Sequence, residues 1–423
     1  MRKPSLLVVF LTVFIDLVGF GIVLPLLPVF SKDFGASGWL IGVITASFSA
    51  MQFLFAPSWG RLSDRIGRRP VLLVSTMGSA LSYALFAVGC GLENHSAVLA
   101  VLLISRLFAG ICGANITVAQ AYIADISKPE QRSKRMGLIG MAFGLGFIFG
   151  PAIGALSLKW FGMSGPGWFA AGLCAANFLL ALFVLPESWQ PTSEHVPARP
   201  RLTQWSEILR RPVVGLLVIV LFLATFCFSC FEVTLGLLVM KNFHLDLEHN
   251  THAQATVGYL FAYCGILGAI VQGGMIGRLV KRFGEGKLIA VSLILTGLAM
   301  LPLPFPASTA AFSFGGLFQS AGLPWLALLG LLAVLSIGSA LTRPPLFGLL
   351  SNLTSSTEQG VTIGVAQSLA SLARIIGPIF AASLFDQHPM IPYAICATVL
   401  FLTAIVSWPQ LVKARAHHPQ TAP

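Results

Sequence analysis

Apolar runs of about twenty residues follow one another along almost the whole chain, and no other feature restricts its fold so sharply. At a rise of about 1.5 Å per residue, such a run crosses the roughly 30 Å hydrocarbon layer of a bilayer as a helix. A soluble core has no use for 56% hydrophobic and only 10% charged residues over 423 positions. Within lipid every backbone N–H and C=O must find a partner inside the protein, a condition that continuous helices meet. Twelve spans fit between about residues 5 and 411, the ninth at roughly 287–306. The first follows Met1-Arg2-Lys3, lacks a small-residue cleavage site and is read as a retained span.

The formal net charge of +11 would suggest nucleic acid or acidic partners if it were spread evenly. It is concentrated in alternate links instead. Of the 26 Lys and Arg residues, only Lys32, Lys159 and Lys241 fall in links on the opposite side, and Arg106, Arg343 and Arg374 fall within spans. Basic links are retained in the cytoplasm, so both termini are expected inside and the basic charge needs no anionic partner. Nucleic acid is excluded from the reading.

One of those links is Gly60-Arg61-Leu62-Ser63-Asp64-Arg65-Ile66-Gly67-Arg68-Arg69-Pro70. It is expected to join two antiparallel helices, with Gly60 and Gly67 closing the turn and Pro70 at a tolerated early helical position. Its glycines, Arg, Leu and second Arg return in register in Gly277-Arg278-Leu279-Val280-Lys281-Arg282-Phe283-Gly284. Gly377-Pro378 likewise repeats Gly150-Pro151, and Glu358-Gln359 repeats Glu130-Gln131. The chain is therefore read as two related halves: 1–186, a Pro-rich polar linker over 187–211, and 212–423.

Ionisable residues inside the spans are the candidates for chemistry. Asp16 lies about 16 Å deep, and Arg106 and Arg374 sit at similar depth. Glu232 is deeper than its short side chain reaches to water, whereas Arg343 is read as reaching the surface. Such groups should face the interior or a wet cavity and be paired, with Asp16 the candidate partner of Arg106. Gln52, Asn115, Gln120, Gln272 and Gln367 are equally open to two roles, hydrogen bonds between helices or contact with a substrate. Gly146, Gly150 and Gly154, with Pro151 among them, form a smooth strip in the fifth span. It is expected to meet a second glycine-lined span containing Gly265 and Gly268.

The seven cysteines all fall in spans and imply no disulfide framework; Cys227-Phe228-Ser229-Cys230 reads as a core- or lipid-facing stretch. The eight histidines lie in links and the tail with no metal-binding spacing. No nucleophile–base pair, metal set or phosphate loop appears, so no enzyme and no cofactor is expected.

These residues resemble the major facilitator superfamily. The Gly60–Pro70 link is similar to its signature between the second and third helices, Arg106 to Asp125 to its fourth-helix signature, and Gly146 to Gly154 to a fifth-helix signature associated with antiporters. Asp16 with Pro25 and Pro28 is similar to the first helix of twelve-helix drug/proton antiporters. Ala119-Gln120-Ala121-Tyr122-Ile123-Ala124-Asp125 and Gly284-Glu285 are similar to stretches of the tetracycline/proton exporters and their relatives. The resemblance implies an all-α membrane protein of two pseudo-symmetric six-helix bundles, rocking between inward- and outward-open states. It implies that Asp64, with Arg65, Arg68, Arg69 and Asp125 about it, latches that link to the other half. Proton coupling is expected through Asp16 and through Glu232, an acid that departs from the family pattern, with Arg106 and Arg374 tuning them. Two departures bear on the substrate: Gly268 stands where tetracycline exporters have a histidine, and the ninth span carries no acid.

The expected function is proton-driven export of small amphipathic or cationic molecules, by a monomer in the cell (inner) membrane whose partners are substrate, protons and lipid. The alternatives are a proton symporter or facilitator for a metabolite, and a non-transporting receptor or scaffold, which would leave the intramembrane charges without a purpose.

Overall fold

The computed structural model describes residues 6–113, 115–127, 129–188, 202–245, 251–309, 322–354 and 359–413. Among these the chain is helical: α1 (Leu6–Val23), α2 (Leu27–Asp33), α3 (Gly38–Ile66), α4 (Arg68–Cys90), α5 (His95–Cys112), α6 (Asn115–Asp125), α7 (Pro129–Phe161) and α8 (Gly165–Val184). There follow α9 (Leu202–Arg210), α10 (Pro212–Asn242), α11 (Thr251–Ile270), α12 (Ile276–Phe283), α13 (Glu285–Met300), α14 (Leu323–Ala340), α15 (Arg343–Asn352), α16 (Gln359–Gln387) and α17 (Met390–Lys413).

Eleven described helical segments are long and apolar enough to cross a membrane. The stretch read as the ninth span is α13, only 16 residues long, and Pro302, Pro304 and Pro306 follow it. Proline carries no N–H, so the helix cannot continue through them. Of the linker, residues 189–201 lie outside the described residues, while its last part folds as α9.

Local chemistry sets the helix ends. Ser37 accepts from Leu40 N at the start of α3, and Asn94 accepts from Ser96 N and Ala97 N at the start of α5. Prolines occupy the first turns of α2, α8, α14 and α15, where a missing N–H is harmless. Large apolar side chains such as Phe183 and Ile405 stand exposed, as suits an outer surface facing lipid.

Four spans are interrupted. The first breaks at residues 24–26 beside Pro25, and the fourth at Gly113, between α5 and α6. The break after α5 frees three consecutive carbonyls, and a side chain serves each. Trp59 Nε1 donates to Ile111 O at 2.6 Å, Ser75 Oγ to Cys112 O, and Gln52 Nε2 to Gly113 O at 2.9 Å. In a non-aqueous setting an unserved carbonyl would be costly, so these bonds allow the break. The eighth span widens into a π-helical turn at Val271–Met275, between α11 and α12. The tenth breaks at Leu341-Thr342, ahead of Pro344 and Pro345.

The helices divide into two compact units. The first comprises Met1–Glu194, Leu235–Met240 and Leu245–Gly265, and the second His195–Thr234, Lys241–His244 and Ile266–Pro423. In the first, α1 packs on α7 and α8, and α4 on α5 and α8. Its core is built on Ile22, Phe30, Phe86, Leu102 and Ala155. In the second, α13 packs between α14 and α17.

The two spans expected to meet, α7 and α11, do approach closely, but the three glycines of α7 face α1. A Cβ on Gly146 would lie 3.0 Å from Leu17, one on Gly150 2.6 Å from Gly21, and one on Gly154 2.6 Å from Ile22 O. The strip therefore seats α1. A neighbouring face of α7 receives α11: a Cβ on Gly265 would lie 2.6 Å from Phe147 O, and one on Gly258 2.9 Å from Pro151 O. Gly268 has open space around it. A helix can be approached closely on more than one face, and sequence spacing alone does not say which neighbour takes which face.

Candidate functional site

Three groups of polar side chains stand out, two deep within spans and one at a helix junction.

In the first unit Arg106 of α5 is buried, 2% exposed, with its guanidinium carbon 5.1 Å from the Tyr83 ring centre and 5.3 Å from that of Phe86. Its Nε and Nη2 are buried without a hydrogen-bond partner. Such an aromatic box stabilises a cation through the ring faces, yet leaves donors available. Asp16 of α1 is half-buried, and Cys174 Sγ of α8 lies 3.8 Å from its Oδ1. Tyr83 of α4 lies within electrostatic reach of both Arg106 and Asp16. It thus stands as the intermediary between the acid and base that sequence depth suggested as partners. A tyrosine among apolar neighbours in an otherwise bland span left no sequence signal. Beside it, Asn177 Nδ2 donates to Thr12 O at 2.8 Å, fastening α8 to α1.

In the second unit Glu232 of α10 is half-buried and lies within electrostatic reach of both Arg343 and Arg374. Arg374 of α16 is half-buried, and its Nη2 donates to Ser371 Oγ at 3.2 Å. Arg343 is the first residue of α15. Arg343 is exposed, and it lies within electrostatic reach of Glu232.

Of the amides, Gln52 donates to Gly113 O at the break after α5. Gln120, Gln272 and Gln367 are exposed, Gln272 on the π-helical turn. Asn115 opens α6, and its side chain falls outside the described residues.

The third group surrounds the Gly60–Pro70 stretch. Helix α3 runs through Gly60 to Ile66, so the junction with α4 is Gly67 alone. Gly60 is part of the helix and does not close the turn. Gly67 has φ 101° and ψ 161°, a region closed to other residues. Arg68 is buried; its Nη1 donates to Asp64 Oδ1 and to Ser63 Oγ (2.7 Å), and its Nε donates to Asp125 Oδ2 at 3.1 Å. Ser188 Oγ donates to the same Asp125 oxygen at 3.1 Å. Sequence reasoning missed Glu187, just past α8. Its Oε1 accepts from Arg68 N at 2.9 Å and its Oε2 from Arg69 N at 3.1 Å, so a distant carboxylate caps α4. Arg69 Nη2 donates to Leu182 O at 2.6 Å, while Arg65 is exposed.

Helical spans with interrupted helices, charge groups deep inside each unit, and a repeated glycine junction together describe a transporter architecture. Residues 9–325 match the Major Facilitator Superfamily. The chain belongs to that family. It is 32% identical over 381 residues to the class E tetracycline resistance protein of Escherichia coli, spanning 88% of this chain and 86% of the relative. It is 27% identical over 406 residues to multidrug resistance protein 2 of Bacillus subtilis (strain 168), spanning 95% and 94%. Among solved structures, that of the human organic anion transporter MFSD10 (TETRAN) superposes with a TM-score of 0.65 at 28% identity, covering 97% of this chain and all of that one. The chain is thus a multi-pass membrane transporter of this superfamily and not an enzyme.

Proposed function

We propose that the protein is a proton-coupled exporter of small amphipathic organic molecules, working by alternating access in the cell membrane with both termini in the cytoplasm. The observation that carries the reading is the pair of half-buried carboxylates, Asp16 and Glu232, one in each unit, the latter within electrostatic reach of Arg343 and Arg374. A proton carrier must be partly screened from water yet able to change charge, and an intramembrane acid that is neither fully exposed nor locked away meets that need. Kinship with tetracycline and multidrug resistance proteins supports export, since those relatives are named for resistance. Gly268, where the resemblance to tetracycline exporters implies a histidine, speaks against tetracycline itself as the substrate.

Inverted vesicles test the reading with a panel of amphipathic compounds and an imposed pH gradient. Uphill uptake is expected in the parent protein. It should be lost in Asp16→Asn and Glu232→Gln, which keep shape and remove the charge change, while downhill exchange persists in at least one of them. Undiminished gradient-driven uptake by the double variant overturns proton coupling through these residues.

A further inference from the structure

The charges deep in the spans are unevenly shared. The first unit holds one acid and one base there, Asp16 and Arg106, whereas the second holds one acid, Glu232, and two bases, Arg343 and Arg374. At the centre of a span an arginine that nothing balances is unfavourable by roughly 2.5–3.5 kcal/mol, which applies to the half-buried Arg374 more than to Arg343. The geometry does not hide it. Arg343 is exposed, Glu232 and Arg374 are half-buried, and among the described residues neither arginine closes an ion pair with Glu232, although both lie within its electrostatic reach.

The surroundings suit a negatively charged guest. Gln367, Ser371 and Arg374 fall at i, i+4 and i+7 on α16, so an amide, a hydroxyl and a guanidinium share one face. Ser371 Oγ donates to Gln367 O at 3.0 Å and accepts from Arg374 Nη2, which holds the guanidinium in place. The break before α15 delivers Arg343 at a helix start, and Pro344 and Pro345 behind it carry no N–H, so recognition there falls to the guanidinium itself. A carboxylate placed between the two arginines would take charge-assisted hydrogen bonds from both and cancel the surplus. An organic cation would instead meet two like charges for one opposite.

We propose that the second unit contains a binding site for an amphipathic carboxylate, with Arg343 and Arg374 as the groups that hold its charge and Glu232 as the group that opposes it. The site rests on the reading of the chain as a transporter of small amphipathic molecules and gives that substrate its sign, in place of the cationic class expected from the sequence.

The test is equilibrium dialysis of the purified full-length protein with radiolabelled 2-naphthoate and its cationic counterpart, 2-naphthylmethylammonium. Naphthoate is expected to bind at least about tenfold more tightly than the ammonium compound, a difference of about 1.4 kcal/mol. Arg343→Gln and Arg374→Gln should each weaken naphthoate binding about tenfold, Arg374→Lys should restore part of that loss, and Glu232→Gln should strengthen it. Thermal unfolding of each variant establishes that it is folded before its affinity is read. Tighter binding of the cation, retention of neither probe, or unchanged naphthoate affinity in folded Arg343→Gln overturns the site. Dialysis needs no gradient, so failed uphill transport with intact naphthoate binding counts against proton coupling and leaves the anion site standing.

Discussion

The two glycine junctions, one in each unit, share a backbone and differ in almost everything attached to it. Gly67 (φ 101°, ψ 161°) and Gly284 (φ 80°, ψ 157°) each form a one-residue link between helices, α3 to α4 and α12 to α13. After Gly67 comes Arg68, held by Asp64 and Asp125; after Gly284 comes Glu285, which accepts from Asn352 Nδ2 at 3.3 Å. The charges are reversed: Asp64 and Arg68 correspond to Lys281 and Glu285 in the repeat. The partner at the end of the broken neighbouring span is an acid in one unit (Asp125, ending α6) and an amide in the other (Asn352, ending α15). The backbone turn is thus a requirement of joining two helices through one residue. The network of Asp64, Arg68 and Asp125 is built from side chains that the first unit carries at these positions and the second does not.

The comparison can be broken most directly by transport. Asp64→Asn leaves Arg68 bonded to Asp125 but removes a charge from the network, and is expected to lower transport at least about tenfold while Lys281→Gln leaves it within about twofold, a gap of about 1 kcal/mol or more on the rate-limiting step. Equal effects in vesicle assays would mean that the two junctions do the same work.

Stability gives the next largest contrast. Arg68→Ala strands Asp64 and Asp125 and should destabilise by about 3 kcal/mol, toward the lower end for losing one partner of a buried charge pair. Glu285→Ala, whose bond to Asn352 is exposed, should change stability by less than about 1 kcal/mol. Melting curves of the two purified variants decide between this ranking and its reverse.

Gly67→Ala and Gly284→Ala sharpen the shared part of the comparison. Both impose the strain of a left-handed backbone, about 1–2 kcal/mol. At Gly67 a Cβ would also come 2.5 Å from Glu187 Oε2 and 2.9 Å from its Cδ, so that variant should melt lower than its counterpart. If Glu187→Ala is added, the difference between the two glycine variants should shrink.

The smallest effect concerns the cap. Glu187→Gln keeps an acceptor for Arg68 N and Arg69 N but removes the charge at the start of α4, with an expected loss of about 0.5–1 kcal/mol. Hydrogen exchange at the first amides of α4 reports this directly: faster exchange there, and not at the start of α13, is the expected pattern.

Much of this was legible in the residues. Apolar run length defined the spans, the one departure being α13, cut short by prolines. The depths of Asp16, Arg106, Glu232 and Arg374 marked them as charges needing company, because lipid supplies none. The repeated Gly-Arg-Leu stretch announced two related units. What escaped were the partners. Tyr83 resembles any apolar-span aromatic until its ring is found under Arg106, and Glu187 belongs in sequence to the linker although it caps a helix more than a hundred residues earlier.

Run length, charge depth and glycine placement are properties of single segments in a one-dimensional solvent gradient, so the sequence alone determined the fold class, the spans and the candidate charges. Which face meets which neighbour depends on packing among helices whose sides are all apolar, and no hydrophobic contrast ranks those sides. Only the tertiary structure could therefore seat α1 on the glycine strip of α7 and give Gln52 to a carbonyl freed by a helix break.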